Sequence, residues 1–126
     1  MKKRIITMAV VMGLLVGSMS MNSMAVRYSK DYNVVGRLQM GSVTNTSGVS
    51  KTLTVGASVT TGDGGAWAEV LNTSGSVVTS KLYMYQNPGA TDLSTTVTNG
   101  VTRNIAIRPN SSGQRIKGNI HWTWYK

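Results

Sequence analysis

Apolar and polar residues alternate with a period of two along most of the chain after residue 25, and that alternation sets out its strands. The clearest run is Lys51–Thr60, where Leu53, Val55, Ala57 and Val59 alternate with Thr52, Thr54, Gly56, Ser58 and Thr60. Successive side chains of an extended chain point to opposite sides, so this run has one core face and one face rich in hydroxyls. From Ala66 to Leu71, the residues Trp67, Glu69 and Leu71 share one side and Ala66, Ala68 and Val70 the other. The carboxylate beside the tryptophan assigns the alanine–valine side to the interior, or sets this strand at a rim. Val77–Gln86 opposes Val78, Leu82 and Met84 to Val77, Thr79, Lys81, Tyr83 and Tyr85. Gln114–Tyr125 opposes Ile116, Gly118, Ile120, Trp122 and Trp124 to Arg115, Lys117, Asn119, His121, Thr123 and Tyr125. Tyr32–Met40 reads as a first strand with a bulge at Gly36, and Val26–Asp31, without a period, as a loose arm.

Turn chemistry separates these runs. A Gly-rich break covers Thr61–Gly65, and Asn87-Pro88-Gly89-Ala90-Thr91-Asp92 is a strong turn signal. Leu93–Thr98 and Val101–Arg108 flank Asn99-Gly100, a dipeptide favoured in tight two-residue hairpins because both central residues need positive φ. One tetrapeptide recurs as Asn45-Thr46-Ser47-Gly48, Asn72-Thr73-Ser74-Gly75 and Asn110-Ser111-Ser112-Gly113. Asn at the first turn position bonds the backbone two residues on, and the closing Gly takes a left-handed conformation. The economical reading is three hairpins closed by one turn design. No helical period appears after Ala25. About seven short strands joined by such turns predict a small antiparallel β-sandwich, with a barrel as second choice.

The first 25 residues follow a different rule. Lys2, Lys3 and Arg4 precede an uncharged, largely apolar run from Ile5 to Gly17 and a tail ending in Ser23-Met24-Ala25. A positive head, a short apolar run and small residues at the exit define a secretory signal peptide, with cleavage expected after Ala25. The run is too short to span a bilayer, which takes about 20 apolar residues. Residues 26–126, 101 of the 126, are then a single domain. No cysteine is present, which excludes a disulfide framework, a thiolate metal site and a cysteine nucleophile. Ten of the thirteen Lys and Arg fall after residue 25 against four acids, Asp31, Asp63, Glu69 and Asp92, a balance of about +6 that favours anionic partners.

Catalytic chemistry is sparse. The single histidine, His121, and four scattered acids provide no zinc-ligand spacing, so neither metal nor cofactor is expected. Glu69, His121, Arg103 and Arg108 are the residue types of a small secreted ribonuclease, a base, an acid and two phosphate-binding cations, but their spacing carries no motif. The remaining signal is surface charge. If Ile116, Ile120, Trp122 and Trp124 face inward, Arg115, Lys117, His121 and Tyr125 face out, with Lys126 beyond them. Pairing through the Asn110 turn would add Arg103 and Arg108 to one basic C-terminal hairpin. Tyr83 and Tyr85, on the same side as Lys81, form a candidate aromatic platform for sugar rings.

The aromatic ending His121-Trp122-Thr123-Trp124-Tyr125-Lys126, on a small cysteine-free β domain behind a signal, resembles the ends of lactococcin-972-type bacteriocins. That resemblance implies a toxin. The residues themselves favour a secreted, non-catalytic domain that binds an anionic cell-wall polymer, lipid headgroup or polysaccharide, rather than nucleic acid, through the C-terminal hairpin. A secreted antimicrobial or pore-forming protein is the first alternative and a small ribonuclease the second.

Overall fold

The computed structural model describes residues 25–61, 64–85 and 90–125, the last without its side chain. Residues 1–24, on which the signal-peptide expectation falls, lie outside the described residues, as do Gly62, Asp63, residues 86–89 and Lys126. Eight strands form rather than about seven: β1 (Ala25–Val34), β2 (Leu38–Thr44), β3 (Lys51–Thr61), β4 (Ala66–Leu71), β5 (Val77–Tyr83), β6 (Leu93–Val97), β7 (Thr102–Pro109) and β8 (Ile116–Tyr125). They make two four-stranded sheets, β1-β8-β3-β6 and β2-β7-β4-β5, packed as a sandwich. Every described pairing between strands is antiparallel. Eight strands in these two orders have jelly-roll connectivity, one of the standard ways to close an antiparallel sandwich.

The alternation assigns faces correctly. Leu53, Val55, Ala57 and Val59 of β3, Ala66, Ala68 and Val70 of β4, and Ile116, Ile120, Trp122 and Trp124 of β8 all join one core between the sheets. Space in that core is made by glycines as well as filled by side chains. Tyr32 of β1 crosses over Gly118 of β8, and its hydroxyl donates to the Ser58 carbonyl of β3 at 2.7 Å. A methyl on Gly118 would overlap that carbonyl and stand 2.6 Å from the tyrosine oxygen. Across the sandwich, Gly41 of β2 leaves room for the Trp122 indole, whose ring also stacks on Tyr28 with centroids 5.4 Å apart.

Connectivity departs from the sequence reading. Among the described strands, only β4 and β5 are joined as a hairpin, through Asn72-Thr73-Ser74-Gly75. The Asn45 and Asn110 turns, and Asn99-Gly100, instead carry the chain from one sheet to the other, since β2 and β3, β7 and β8, and β6 and β7 lie in different sheets. The local conformation is nonetheless the expected one: Gly48, Gly75 and Gly113 have φ of 89°, 88° and 78°. Asn45 and Asn72 each accept from the backbone N–H and hydroxyl of the serine two residues on, at 2.7–3.1 Å. At the Asn45 crossover the side chain also turns inward and donates to the carbonyls of Val49 (2.7 Å) and Val97 (2.8 Å) while 1% exposed. Asn99 completes the tie by accepting from Gly48 N–H at 2.8 Å. The N-terminal arm is also ordered differently. Ala25–Val34 pairs with β8 along its length as an edge strand, and Gly36 sits in the connection to β2 rather than in a bulge.

Candidate anion-binding surfaces

The outer face of β1-β8-β3-β6 follows from the odd-numbered residues of β8. Opposite the buried Ile120 and Trp122, Lys117 is exposed, and Asn119 and His121 are half-buried. Register places Asn33 of β1 beside Lys117, Asp31 beside Asn119, and Ser29 beside His121. Asn119 is held by two residues of β1, accepting from Ser29 Oγ at 3.1 Å and donating to Asp31 Oδ1 at 3.1 Å. Arg115, just ahead of β8, donates to Asn33 Oδ1 at 2.7 Å. His121 Nε2 lies 3.1 and 3.2 Å from the two Asp92 oxygens, above Gly56, where a methyl would collide with both side chains. The face is therefore mixed rather than purely basic, because strand pairing brings in Asp31 from the N-terminal strand. Among the described residues, the side chains of Arg27 and Lys117 are exposed and hold no hydrogen bond or ion pair.

Arg103 and Arg108 do not join this face. The expectation of a basic hairpin fails because β7 lies in the opposite sheet, between β2 and β4. Five residues apart on a strand, they also point to opposite sides of β7. Arg103 stands beside Val43, with Nη1 donating to the Thr102 carbonyl at 3.3 Å and Nε buried without a partner. The aromatic platform does not form either: Tyr83 is 2% exposed, its single hydroxyl hydrogen shared between the carbonyls of Thr91 (2.8 Å) and, at longer range, Val55 (3.3 Å), while Tyr85 is exposed. Burial, followed by the nearby Asp92 charge, raises the Tyr83 pKa. The side chain of Tyr125 and all of Lys126 lie outside the described residues.

Arg108 belongs instead to a cluster on the outer face of the second sheet. Glu69 of β4, beside Ala106 of β7, is 1% exposed, and two guanidinium groups cover it. Arg37, from the β1–β2 connection, binds it with two bonds, Nε–Oε1 at 2.7 Å and Nη2–Oε2 at 3.1 Å; Arg108 Nε reaches Oε2 at 3.2 Å. A carboxylate out of water is tolerated only when paired and hydrogen-bonded in this way. Its hydrogen bond is the leading reason the Arg37 pKa rises above its ordinary value. Arg108 also lies 5.7 Å over the Trp67 ring, and Trp67 Nε1 donates to Asn110 Oδ1 at 2.9 Å. The third tetrapeptide thus spends its asparagine oxygen on the sheet rather than on its own turn. Between the β1–β2 connection and the turn after β7 lies an open groove of about 310 Å³, lined by residues 35–37 and 108–113. Sequence reasoning named Glu69 and Arg108 but not Arg37, Trp67 or Asn110 as their partners. The period-two spacing of Trp67 and Glu69 was the available clue; nothing local points to Arg37, which arrives from another part of the chain.

Glu69 and His121 occupy the outer faces of opposite sheets, so the ribonuclease quartet does not converge on one site. Packed sheets alone lie about 10 Å apart, before the outward side chains are added. No group of three or more His, Cys, Asp or Glu capable of holding a metal ion occurs among the described residues.

No protein-family model and no curated protein matches the chain. One solved structure, described as "Bacillus endospore appendages form a novel family of disulfide-linked pili", aligns over 88% of this chain and 98% of that one, with a TM-score of 0.43 and 12% identity. A likeness at that level carries no argument about what this chain binds or builds. What stands is the class: an all-β, two-sheet antiparallel sandwich.

Proposed function

We propose that this chain is a secreted, non-catalytic β-sandwich that binds an anionic polymer of the cell envelope. The observation that carries the reading is the outer face of β1-β8-β3-β6. There Arg27 and Lys117 are exposed without partners among the described residues, while the two acids nearby are already engaged, Asp31 by Asn119 and Asp92 by His121. Hydrogen bonding engages these acids without removing their charge, and with Arg115 the cations Arg27 and Lys117 outnumber Asp31 and Asp92, a positive excess that attracts a polyanion. Export rests on the charged head, apolar run and Ser23-Met24-Ala25 exit of the first 25 residues. A binding role rather than a catalytic one is supported by the separation of Glu69 from His121, and by the absence of any hydroxyl hydrogen-bonded to His121 among the described residues.

The test is sedimentation of residues 26–126 with purified cell-wall polymer at low salt, for the wild type and for Arg27→Gln with Lys117→Gln. The bound fraction should drop in the double variant, and added salt should reproduce the drop in the wild type by screening. Unchanged sedimentation of a folded double variant would make this face an ordinary solvated surface. Growth inhibition of neighbouring bacteria by the purified domain would favour the bacteriocin alternative instead.

A further inference from the structure

The groove between the two sheet-to-sheet connections has the features of a built anion subsite. Glu69 is out of water and fixes both arginines from below, so neither guanidinium must be ordered when a ligand arrives. Each keeps donors in reserve. Arg37 spends Nε and Nη2 on Glu69 and retains Nη1; Arg108 spends Nε there, makes a long 3.5 Å contact from Nη1 to the Pro109 carbonyl, and retains Nη2. Both side chains stay partly in solvent, at 41% and 37% exposure. The pair carries two positive charges against one carboxylate, and Ser111 and Ser112 also line the groove.

We infer that this groove binds a phosphate group, and, resting on the polymer reading above, that it takes one phosphodiester unit of an anionic envelope polymer. The geometry selects phosphate over carboxylate. One fork of Arg37 is committed to Glu69, but each arginine still presents its Nη1/Nη2 end to the groove. Two guanidinium ends lining one groove suit a tetrahedral oxyanion, which has acceptor oxygens for both, better than a carboxylate with two oxygens. The volume, about 310 Å³, is at the lower end for small-ligand sites and holds one repeat unit rather than a length of chain. A further cation lies near the groove: Arg115, two residues past Gly113 in the connection to β8, is bonded to Asn33 of β1.

Removing both arginines would strand Glu69 as a buried, unpaired charge and risks unfolding the domain. The informative variant is Ser112→Asp, which adds a negative charge at an exposed groove wall and leaves the Glu69 cluster intact. Arg108→Lys is the second variant, keeping the charge while removing the planar fork. Binding is measured by amide chemical-shift titration with glycerol phosphate, poly(glycerol phosphate) and polygalacturonate. The expected result is saturable shifts at residues 35–37 and 108–113 with both phosphate ligands. Ser112→Asp should weaken that binding about tenfold or more, as expected for like charges in contact, and Arg108→Lys should also reduce it. Equal or stronger binding of polygalacturonate at these residues would overturn the phosphate assignment. Polymer binding that ignores Ser112→Asp but falls with Arg27→Gln and Lys117→Gln would overturn the groove and keep the broader reading. No shift with any polymer would remove both.

Discussion

The repeated tetrapeptide offers a test in which sequence is held fixed and only burial differs. Asn45 and Asn72 begin the same Asn-Thr-Ser-Gly turn, but Asn72 uses only its oxygen, accepting from Ser74 N–H, Ser74 Oγ and Ser76 N–H at 2.7–3.1 Å. Asn45 uses its oxygen similarly and its amide NH2 on the Val49 and Val97 carbonyls, while 1% exposed. Truncating Asn72 to Ala leaves groups that water can reach and should cost about 0.5–1 kcal/mol. Truncating Asn45 leaves the Val97 carbonyl without its partner in a buried site, where one such loss costs roughly 1–3 kcal/mol, so with its other bonds Asn45→Ala should cost about 3 kcal/mol. Aspartate sharpens the contrast. Asn72→Asp keeps every acceptor role and should stay within about 0.5 kcal/mol of wild type. Asn45→Asp loses both donors and sets a carboxylate against two carbonyls, so it should cost at least as much as Ala, about 3 kcal/mol or more. Urea unfolding followed by tryptophan fluorescence reads all four, the chain having three tryptophans. Equal losses at the two positions, or an Asn72→Asp as damaging as Asn45→Asp, would refute the argument from burial.

Two further outcomes follow from the core. Gly118→Ala should destabilise by about 2–4 kcal/mol, combining overpacking against the Ser58 carbonyl with loss of the Tyr32 bond, and a variant unfolding at the wild-type urea midpoint would contradict the packing described. Burial pushes the Tyr32 phenol up to about 12 from 10.0, so the folded chain holds that proton longer than the unfolded chain. Its contribution is complete below pH 10 and is lost as pH rises towards 12; Tyr32→Phe should flatten that part of a stability–pH curve, leaving the part due to Tyr83.

Facing was legible in the sequence and neighbourhood was not. A period of two states which side of a strand meets the core, and the core residues of β3, β4 and β8 follow it, although Glu69 and Leu71 on the other side of β4 are buried as well. It is silent about which strand lies alongside, and so could not tell a hairpin from a crossover. The tetrapeptide shows the same division: its left-handed glycines were predictable from Gly48, Gly75 and Gly113, yet one copy folds a strand back beside its predecessor and two send it to the other sheet. The first part of β1 carries no strand signal because an edge position leaves Arg27–Asp31 exposed, so no apolar rhythm marks it. For the same reason the candidate sites were half visible. Lys117 and His121 were placed on their correct face, whereas Arg37 reaches Glu69 across 32 positions of sequence through a tertiary contact that composition cannot announce.

The position of β8 bears on how the molecule comes into being. It is the last of the described strands in chain order, yet it is bound on both sides, to β1 from Ala25 opposite Tyr125 and to β3 from Leu53 opposite Trp124. Until it is in place, that sheet lacks its middle and the core lacks Ile116, Ile120, Trp122 and Trp124. Pairing ends so distant in sequence is slow, because loop closure must precede any reward from contact. The core therefore closes only when the first and last described strands meet, so the sandwich is completed by its most distant pairing rather than built up strand by strand.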